Sequence, residues 1–474
     1  AYRIARGESR LFRLGLYLTI HAADEQALAH EVAAVKATAE SLLLTVQPAT
    51  YRALDGWLTT LPFGLDNLKV RRTLDTAALS ACFPFTSPDL PTPPGHEAGV
   101  PGGVLLGLNA ASGSPLLWDR FGQDNYNSIT LAHSGAGKSY LTKLELLRLL
   151  FTGVQAAVID PEDEYCRLAE TVGGQVIRLG AAGGRLNPFD LPSHATGGDV
   201  LVRRVLFLHT FLSVLLGTEF SPAQRAVLDQ ALLACYEQVG ITVHPPTWTA
   251  APPTLHTLHE ALTAQGGPVA DDLADRLVPF VSGSHAGLFN GPTTSHTEGH
   301  HLLVFALRRL PQEVRAPAML LALDAVWRRI TDPDRRRRHL VVVDEAWLLM
   351  SQAQGARFLM RMAKAGRKHW CGLAVVTQDA DDVLASPLGR TVVANSATQL
   401  LLRQAPQAID GIAQTFGLSR GERDFLLSAR RGEALLLAGH RRKAALVAVA
   451  SAAEHALITT DPAELAEQTE ADQP

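Results

Sequence analysis

Cysteine is scarce in this chain, and its spacing excludes two of its common uses. Only four cysteines occur among 474 residues, and no two of them form a C-x-x-C pair. This spacing is unlike that of a zinc knuckle and offers no disulfide framework. We therefore expect reduced thiols that behave as small buried hydrophobes. The four are Cys82, Cys166, Cys235 and Cys371.

Long apolar runs are also missing from the chain. None reaches the roughly 18 residues that a membrane-spanning helix requires. The nearest, residues 205–217, contains His209 and follows two arginines, so we interpret it as a buried or interface helix. Residues 2–5 lack the features of a signal peptide. Because the chain begins at Ala1, we expect its N-terminal domain to be incomplete.

Neither sign of charge is in large excess. The formal net charge is −4, with 19% charged and 47% hydrophobic residues, so the chain can bury a large core. Its overall field does not attract nucleic acid, and such contact would need a local basic patch. Aromatic residues make up only 6%, and none lies within the basic clusters as a base-stacking platform would require. DNA contact is therefore less favoured than solvated basic loops. The clusters are residues 335–338, 430–431 and 441–443.

The chain is long enough for two to four domains. Its pattern of apolar and polar residues changes once along the chain, which predicts two parts. Within residues 1–95, an alternating pattern and then a helical one between residues 11 and 46 predict a small α+β domain. The Pro-rich residues 85–95 are the predicted linker. Residues 100–474 alternate apolar runs with helical patterns, which predicts an α/β domain with a parallel sheet. A helical insertion is predicted at about residues 192–300.

A glycine-rich loop follows the predicted strand at residues 128–132. Residues 132–139 match G-x-x-x-x-G-K-[ST] except for Ala132 in place of the first glycine, and alanine fits there if its φ is negative. The backbone N–H groups of such a loop face phosphate oxygens, and the following helix adds its positive end. We predict that it binds ATP, with Lys138 on the β- and γ-phosphates and Ser139 on Mg²⁺. The predicted nucleotide contacts are Ser134, Gly135, Ala136, Gly137, Lys138, Ser139 and Tyr140.

Polar side chains end further apolar runs downstream. An aspartate at the end of a buried strand can hold Mg²⁺, so Asp344 is the second predicted metal ligand beside Ser139. The adjacent Glu345 can polarise the attacking water as a general base. Gln378 can contact the γ-phosphate or that water, with an ordinary turn glutamine as the alternative. The carboxylates at residues 160–164 lie beside Mg²⁺, beside a neighbouring subunit, or in a solvated loop.

In this order the motifs resemble those of the ATPases of type IV secretion and conjugal transfer. These form the VirB-four, or TraC/TraE, group within the HerA–FtsK class of motor ATPases. The resemblance extends over nearly the whole chain, including Phe83-Pro84-Phe85 near the N-terminus. The motifs that carry it lie at residues 125–140, 158–165, 186–190, 344–347, 367–369, 377–378 and 430–435.

The resemblance implies a RecA-like α/β motor domain with an inserted all-helical subdomain, preceded by a small α+β domain. It further implies Mg²⁺-dependent ATP hydrolysis by a hexamer, with a dimer or monomer as alternatives in isolation. Such an assembly is cytoplasmic and docks with other secretion-channel components at the inner face of the cell membrane. An arginine of one subunit completes the neighbour's site in this class. Arg367 and Arg403 are the two candidates, and either could instead form a surface salt bridge.

Three functions remain open from the sequence. The first is an ATPase that energises a secretion or conjugation channel or pilus assembly. The second is a DNA-pumping translocase of the same class. The third is an assembly scaffold that binds nucleotide without turnover, and the intact Lys138, Ser139, Asp344 and Glu345 argue against it.

Overall fold

The chain separates into two compact units, Ala1–Ser87 and Pro88–Pro474. The structure is a computed structural model that describes residues 4, 6, 9–41, 44–82, 89–90, 102–181, 184–192, 199–295, 299–332, 337–378, 380–439, 442–461 and 463–466. Most of the predicted linker at residues 85–95 and the motif at residues 83–85 lie outside the described residues.

In the described residues of the first unit, one pair of strands combines with three helices. Strand β1 (Leu11–Leu14) pairs antiparallel with β2 (Arg72–Asp75), so the sheet joins residues distant in sequence. The alternating pattern predicts a longer strand than the four residues that pair. Asp75 ends β2 and caps the last helix by accepting a hydrogen bond from Ala78 N–H. The helices are α1 (Glu25–Ser41), α2 (Ala53–Thr60) and α3 (Thr76–Ala81).

An 11-stranded sheet forms the centre of the second unit. Its strands are β3 (Val104–Asn109), β4 (Pro115–Trp118), β5 (Ser128–Leu131), β6 (Gln155–Asp160), β7 (Gln175–Arg178), β8 (Leu302–Ala306), β9 (His339–Val343), β10 (Cys371–Thr377), β11 (Thr398–Leu401), β12 (Glu433–Ala438) and β13 (Arg442–Ala448). Seven strands are parallel, in the order β11-β5-β10-β9-β6-β8-β7. Strands β12, β13, β3 and β4 extend the sheet beyond β11 as antiparallel neighbours. Strands β5, β8, β9 and β10 are buried at every position, which explains their uninterrupted apolar runs.

Helices cover both faces of this sheet. Alternate side chains of β9 enter different hydrophobic clusters, Val341 and Val343 in one, and Leu340 and Val342 in the other. The fold is therefore a mixed α/β layered structure, as predicted. The helices of the unit are α4 (Lys138–Phe151), α5 (Cys166–Thr171), α6 (Val200–Leu215), α7 (Pro222–Gln238), α8 (Leu255–Gln265), α9 (Pro268–Val281), α10 (Ala286–Phe289), α11 (Gln312–Ile330), α12 (Trp347–Met350), α13 (Ala353–Ala365), α14 (Ala380–Ala385), α15 (Pro387–Ala394), α16 (Ile409–Phe416), α17 (Arg420–Ser428) and α18 (Ala452–Ile458). Short 3₁₀ helices occupy Arg120–Gly122, Pro245–Thr249 and Gly366–His369.

Among the described residues between β7 and β8, the only regular elements are helices. Helices α6 to α10 lie there without a strand, and α6 packs against α11 and α13. The Phe207 ring meets Phe358 edge-on at 6.2 Å, so α6 shares its core with the sheet layers. Asn187 holds the segment together internally, because its amide donates to Pro253 O at 2.9 Å. Residues 186–190 also contact α11, since Arg328 Nη1 donates to Asp190 O at 3.2 Å.

Two smaller predictions have different outcomes. The apolar run at residues 205–217 lies mostly in α6, where Leu208 and Phe211 are fully buried, so it is a buried helix as predicted. No described helix combines the length and the apolar character needed to cross a membrane. Cys235 and Cys371 are buried as expected, but the expectation is wrong for Cys82, which is exposed.

A buried ion pair fixes α4 to the segment that leads into β5. The Arg120 and Glu145 side chains are 1% and 5% exposed, and Arg120 Nη2 lies 2.6 Å from Glu145 Oε2. Arg120 also donates to Tyr126 O at 3.1 Å, so the guanidinium has partners on both sides. Removing one member of such a pair leaves the other charge buried without compensation.

We predict that Arg120→Met lowers the free energy of unfolding by about 3–5 kcal/mol, because Glu145 would remain charged and buried. Urea unfolding followed by circular dichroism measures this loss. The matched control is Arg178→Met, which breaks an exposed pair with Glu170 (40% and 57% exposed) and should cost less than about 1 kcal/mol. Equal losses for the two variants would contradict a special role for the buried pair.

Candidate nucleotide-binding site

The loop between β5 and α4 has the backbone geometry of a phosphate cradle. Gly135 and Gly137 have φ values of 74° and 95°, in the left-handed region that favours glycine. Ala132 is fully buried and is not among the residues with positive φ, so it replaces the first glycine without backbone strain. Helix α4 begins at Lys138 directly after the loop, so its free N–H groups and positive end face it.

Neighbouring segments hold this loop in place. The backbone of Ala132 donates to Thr377 O at 3.3 Å, and that of His133 donates to Arg403 O at 2.8 Å. From the other side, Gly432 N–H donates to Ala136 O at 3.2 Å. A Cβ on Gly137 would lie 3.0 Å from Gly432 N, so the two backbones approach too closely for a side chain. The loop conformation therefore depends on the last residue of β10, a residue that follows β11 and a residue that precedes β12.

Lys138 forms a buried ion pair with both members of the acidic pair after β9. Its Nζ lies 3.0 Å from Asp344 Oδ1 and 2.8 Å from Glu345 Oε1, and none of the three side chains is more than 9% exposed. Burial tends to lower the pKa of Lys138, but the two carboxylates outweigh it and hold that pKa above its usual value. Burial raises the pKa of Asp344, and Lys138 opposes the shift. The arrangement keeps a lysine and two carboxylates at the loop.

Glu345 adopts a conformation that few non-glycine residues use. Its φ is 46°, and its carboxylate accepts hydrogen bonds from two further side chains. Gln378 Nε2 donates to Oε1 at 2.5 Å, and Trp347 Nε1 donates to Oε2 at 2.8 Å. The structure thus brings Gln378 to the predicted general base, although the sequence predicted contact with phosphate or water. Three donors fix the Glu345 carboxylate when Lys138 is included.

The carboxylates at residues 160–164 do not all face the loop. Asp160 is fully buried, and it accepts hydrogen bonds from the N–H groups of Glu164 at 3.1 Å and Tyr165 at 2.8 Å. Burial, with a contribution from Asp344, raises the pKa of Asp160 to about 7. Glu162 lies outward and pairs with Arg315 at 2.9 Å. Asp160 therefore stabilises the turn after β6, and Glu162 is part of an exposed ion pair.

The two predicted arginines lie at opposite ends of the parallel strands, Arg367 before β10 and Arg403 after β11. The 3₁₀ helix Gly366–His369 places Arg367, which is exposed, before β10, whereas Gln378 follows β10. Seven strand residues separate these ends by about 23 Å. Arg403 lies two residues past β11, not on the strand, and its Nη2 is 3.9 Å from the position that a Cβ on Gly135 would take. Arg403 thus borders the loop of its own chain, and Arg367 does not.

The side chain of Tyr140, a predicted nucleotide contact, lies against α18. Its hydroxyl lies 3.0 Å from His455 Nδ1, and its ring packs against α18, so the side chain is committed to the C-terminal helix. Ser134 and Gly135 are exposed on the open side of the loop. Ser139 is 6% exposed and lies in the first turn of α4 beside Lys138. The remaining predicted contacts, Ala136 and Gly137, form the loop itself.

Sequence analysis missed three residues that border the site. They are Trp347, Arg431 and Gly432. A Cβ on Gly137 would meet Arg431 Cγ at 3.4 Å, and the Arg431 guanidinium pairs with Asp461 at 2.8 Å. The motifs at residues 344–347 and 430–435 contain these residues and contributed to the family resemblance, but no role at the nucleotide site was predicted for them. No spacing rule connects the motif at residues 430–435 to a loop almost 300 residues earlier.

This combination of a parallel sheet, a strand–loop–helix with two left-handed glycines, and paired carboxylates at the same edge defines a P-loop nucleoside triphosphatase fold. The family model of the TraG P-loop domain matches residues 318–453, a range that contains Asp344, Glu345 and Gln378. The phosphate loop lies before that range.

Solved structures give a longer match. The chain is similar to VirB4 of Thermoanaerobacter pseudethanolicus, with a TM-score of 0.68, 28% identity, and coverage of 76% of this chain and 98% of that one. The plasmid coupling protein TrwB in complex with ADP and Mg²⁺ shares the fold, with a TM-score of 0.51, 15% identity, and coverage of 75% and 97%. No curated protein matches the sequence. The family model and the VirB4 structure together show a similarity to the VirB4/TraG-like conjugation ATPases.

We predict that Gly137→Ala weakens ATP binding about tenfold. An alanine in the left-handed region costs about 1–2 kcal/mol, and its Cβ would press on Gly432 N, so the loop must rearrange to bind phosphate. Titration calorimetry with a non-hydrolysable ATP analogue measures the dissociation constant. Gly113→Ala is the control, because Gly113 has a φ of 73° but open space around it, in the turn between β3 and β4. Equal affinity for wild type and Gly137→Ala would contradict the predicted contact.

Proposed function

We propose that this chain is a Mg²⁺-dependent ATPase that energises a type IV secretion or conjugation channel or pilus assembly. The observation that carries the proposal is the convergence of Lys138, Asp344 and Glu345 at the loop between β5 and α4. A lysine with a helix N-terminus suits a polyphosphate, and two carboxylates suit a metal and a water. The similarity to the TraG P-loop domain and to VirB4 supports a role in secretion or conjugation.

The donor set fits Mg²⁺ bound with a nucleotide. Mg²⁺ prefers oxygen ligands and is held in such sites by one or two protein oxygens together with phosphate oxygens and water. Ser139 and Asp344 would supply those two protein oxygens, and TrwB, with the same fold, has been solved with ADP and Mg²⁺. When bound, the ion would neutralise charge on the phosphates.

The protein residues divide the remaining work. Lys138 would exchange its two carboxylate partners for the β- and γ-phosphates, which frees a Glu345 oxygen. Glu345 would then accept a proton from the attacking water as a general base. Gln378 remains within hydrogen-bond reach of that carboxylate and would report the state of the site to β10. Arg403, beside Gly135, would place a second positive charge next to the phosphates of the nucleotide bound by its own chain.

A neighbouring copy would supply Arg367. This residue is exposed and lies about 23 Å, the length of β10, from the nucleotide edge of its own sheet, so it cannot reach its own nucleotide. A hexamer is the proposed assembly, docked with secretion-channel components at the cytoplasmic face of the inner membrane. Ring closure would bring Arg367 of one copy to the loop of the next.

The described basic residues favour the secretion ATPase over a DNA-pumping translocase. Arg431 pairs with Asp461, and Lys443 pairs with Glu422 at 2.9 Å, so these cations are already neutralised within the chain. Arg338 lies over the Phe121 ring, with 5.2 Å to the centroid. Residues 335, 336 and 441 of the basic clusters lie outside the described part of the chain.

We predict that Glu345→Gln abolishes ATP turnover and leaves ATP bound. The amide keeps the size of the side chain but cannot accept the proton of the water, and removal of a general base typically costs about 10²–10⁴ in rate. Steady-state phosphate release measures turnover, and calorimetry measures binding. Turnover equal to wild type would remove Glu345 from the role. Strong stimulation of the wild type by duplex DNA would favour the translocase instead.

We predict that two inactive variants, Lys138→Ala and Arg367→Ala, regain ATPase activity when mixed. In a mixed assembly, a copy with intact Lys138 can receive Arg367 from its neighbour, which restores some complete sites. Mixing Lys138→Ala with Arg403→Ala is the matched control, because both defects would lie in the copy that binds the nucleotide. Restoration in the control but not in the first mixture would reverse the assignment of the two arginines.

A further inference from the structure

The indole of Trp347 contacts the predicted general base directly. Trp347 lies two residues after Glu345, at the first position of α12, and its Nε1–H donates to Glu345 Oε2 at 2.8 Å. An indole N–H is a donor only, so its direction is unambiguous. Leu349 and Met350 provide the buried packing of this short helix, whereas Trp347 is only half-buried. Packing alone therefore does not explain the orientation of Trp347.

The two oxygens of the Glu345 carboxylate have different partners. Oε1 contacts Lys138 at 2.8 Å and Gln378 at 2.5 Å, on the side of the loop. Oε2 accepts the indole N–H of Trp347. Each oxygen thus has its own set of donors among the described residues. The division leaves Oε1 as the oxygen that can change partner.

The backbone around Glu345 is held from both sides. The N–H of Ala346 donates to Val376 O at 3.1 Å, and that of Leu348 donates to Glu345 O at 3.0 Å. These bonds stabilise the positive φ of Glu345, which a free chain seldom adopts. They do not fix the side-chain torsions of Glu345, however. The hydrogen bond from Trp347 does, because it ties the end of the side chain to the start of α12.

We propose that Trp347 is a positioning residue that keeps the Glu345 carboxylate aimed at the attacking water through the nucleotide cycle. The proposal rests on the proposed ATPase function. When Lys138 turns to the phosphates, Oε1 loses that partner, while Oε2 keeps Trp347. The carboxylate therefore retains its orientation, and Oε1 is left to accept the proton of the water. Trp347 touches neither nucleotide nor water and acts through Glu345 alone.

The test replaces one atom group of the indole. Site-specific incorporation of benzothienylalanine at position 347 substitutes sulfur for N–H and preserves the ring shape, whereas 7-azatryptophan keeps the N–H donor. For benzothienylalanine we expect kcat to fall about 10- to 100-fold, as when an outer hydrogen-bond partner is removed from a reactive group. KM and the dissociation constant of an ATP analogue should stay within about twofold. The 7-azatryptophan protein should retain the wild-type kcat.

Three results would overturn the inference. One is wild-type kcat in the benzothienylalanine protein, and another is an equal loss in the 7-azatryptophan protein. The third comes from crystal structures of the wild type and of Trp347→Phe with a non-hydrolysable ATP analogue bound, in which Lys138 no longer holds Oε1. We expect these two structures to differ in the orientation of the Glu345 carboxylate. An unchanged carboxylate would refute positioning whether or not the wild type hydrolyses ATP. Absence of turnover in the wild type would instead refute the proposed function, so the two failures are distinguishable.

Discussion

The ion pair of Lys138 with two carboxylates is the interaction on which the rest of the site depends. All three side chains are at least nine-tenths buried, and each charge would cost several kcal/mol if left without a partner. Lys138 begins α4, which follows β5, and Asp344 and Glu345 follow β9. Since β10 lies between β5 and β9, the ion pair connects α4 with a strand two positions from β5 in the sheet. The ion pair therefore holds the loop between β5 and α4 against the residues that follow β9.

That pair is possible only because the strands are parallel. Strand β10 lies between β5 and β9, and all three end at the same edge. The backbone follows the same logic, since Ala132 N–H donates to Thr377 O and Asp344 N–H donates to Ile159 O. Each polar residue at a strand end is thus positioned by the neighbouring strand, which is the usual location of function in such sheets. The antiparallel strands β12 and β13 contribute Gly432 from a different direction.

The sequence predicted much of this edge, because buried parallel strands are continuous apolar runs and the glycine-rich loop has a known spacing. Residues 128–132 were predicted as a strand, and β5 occupies Ser128–Leu131. What it could not predict depends on contacts between distant segments. Nothing local indicates that Arg403 borders Gly135 or that Tyr140 turns to His455. Strand register and side-chain direction decide such contacts, and neither is encoded in a short motif.

In the proposed ATPase, nucleotide binding is an exchange of partners at Lys138. In the described structure the Lys138 ammonium already has two carboxylates, so a phosphate would have to replace two existing charge pairs. The affinity is then a difference between two sets of charge pairs, and it depends on what stabilises the carboxylates once Lys138 leaves. In the proposed site Mg²⁺ would take over Asp344, whereas the donors left to the Glu345 side chain among the described residues, Gln378 and Trp347, are neutral. A carboxylate held by neutral donors keeps its orientation and its negative charge, and both are needed to accept a proton from water.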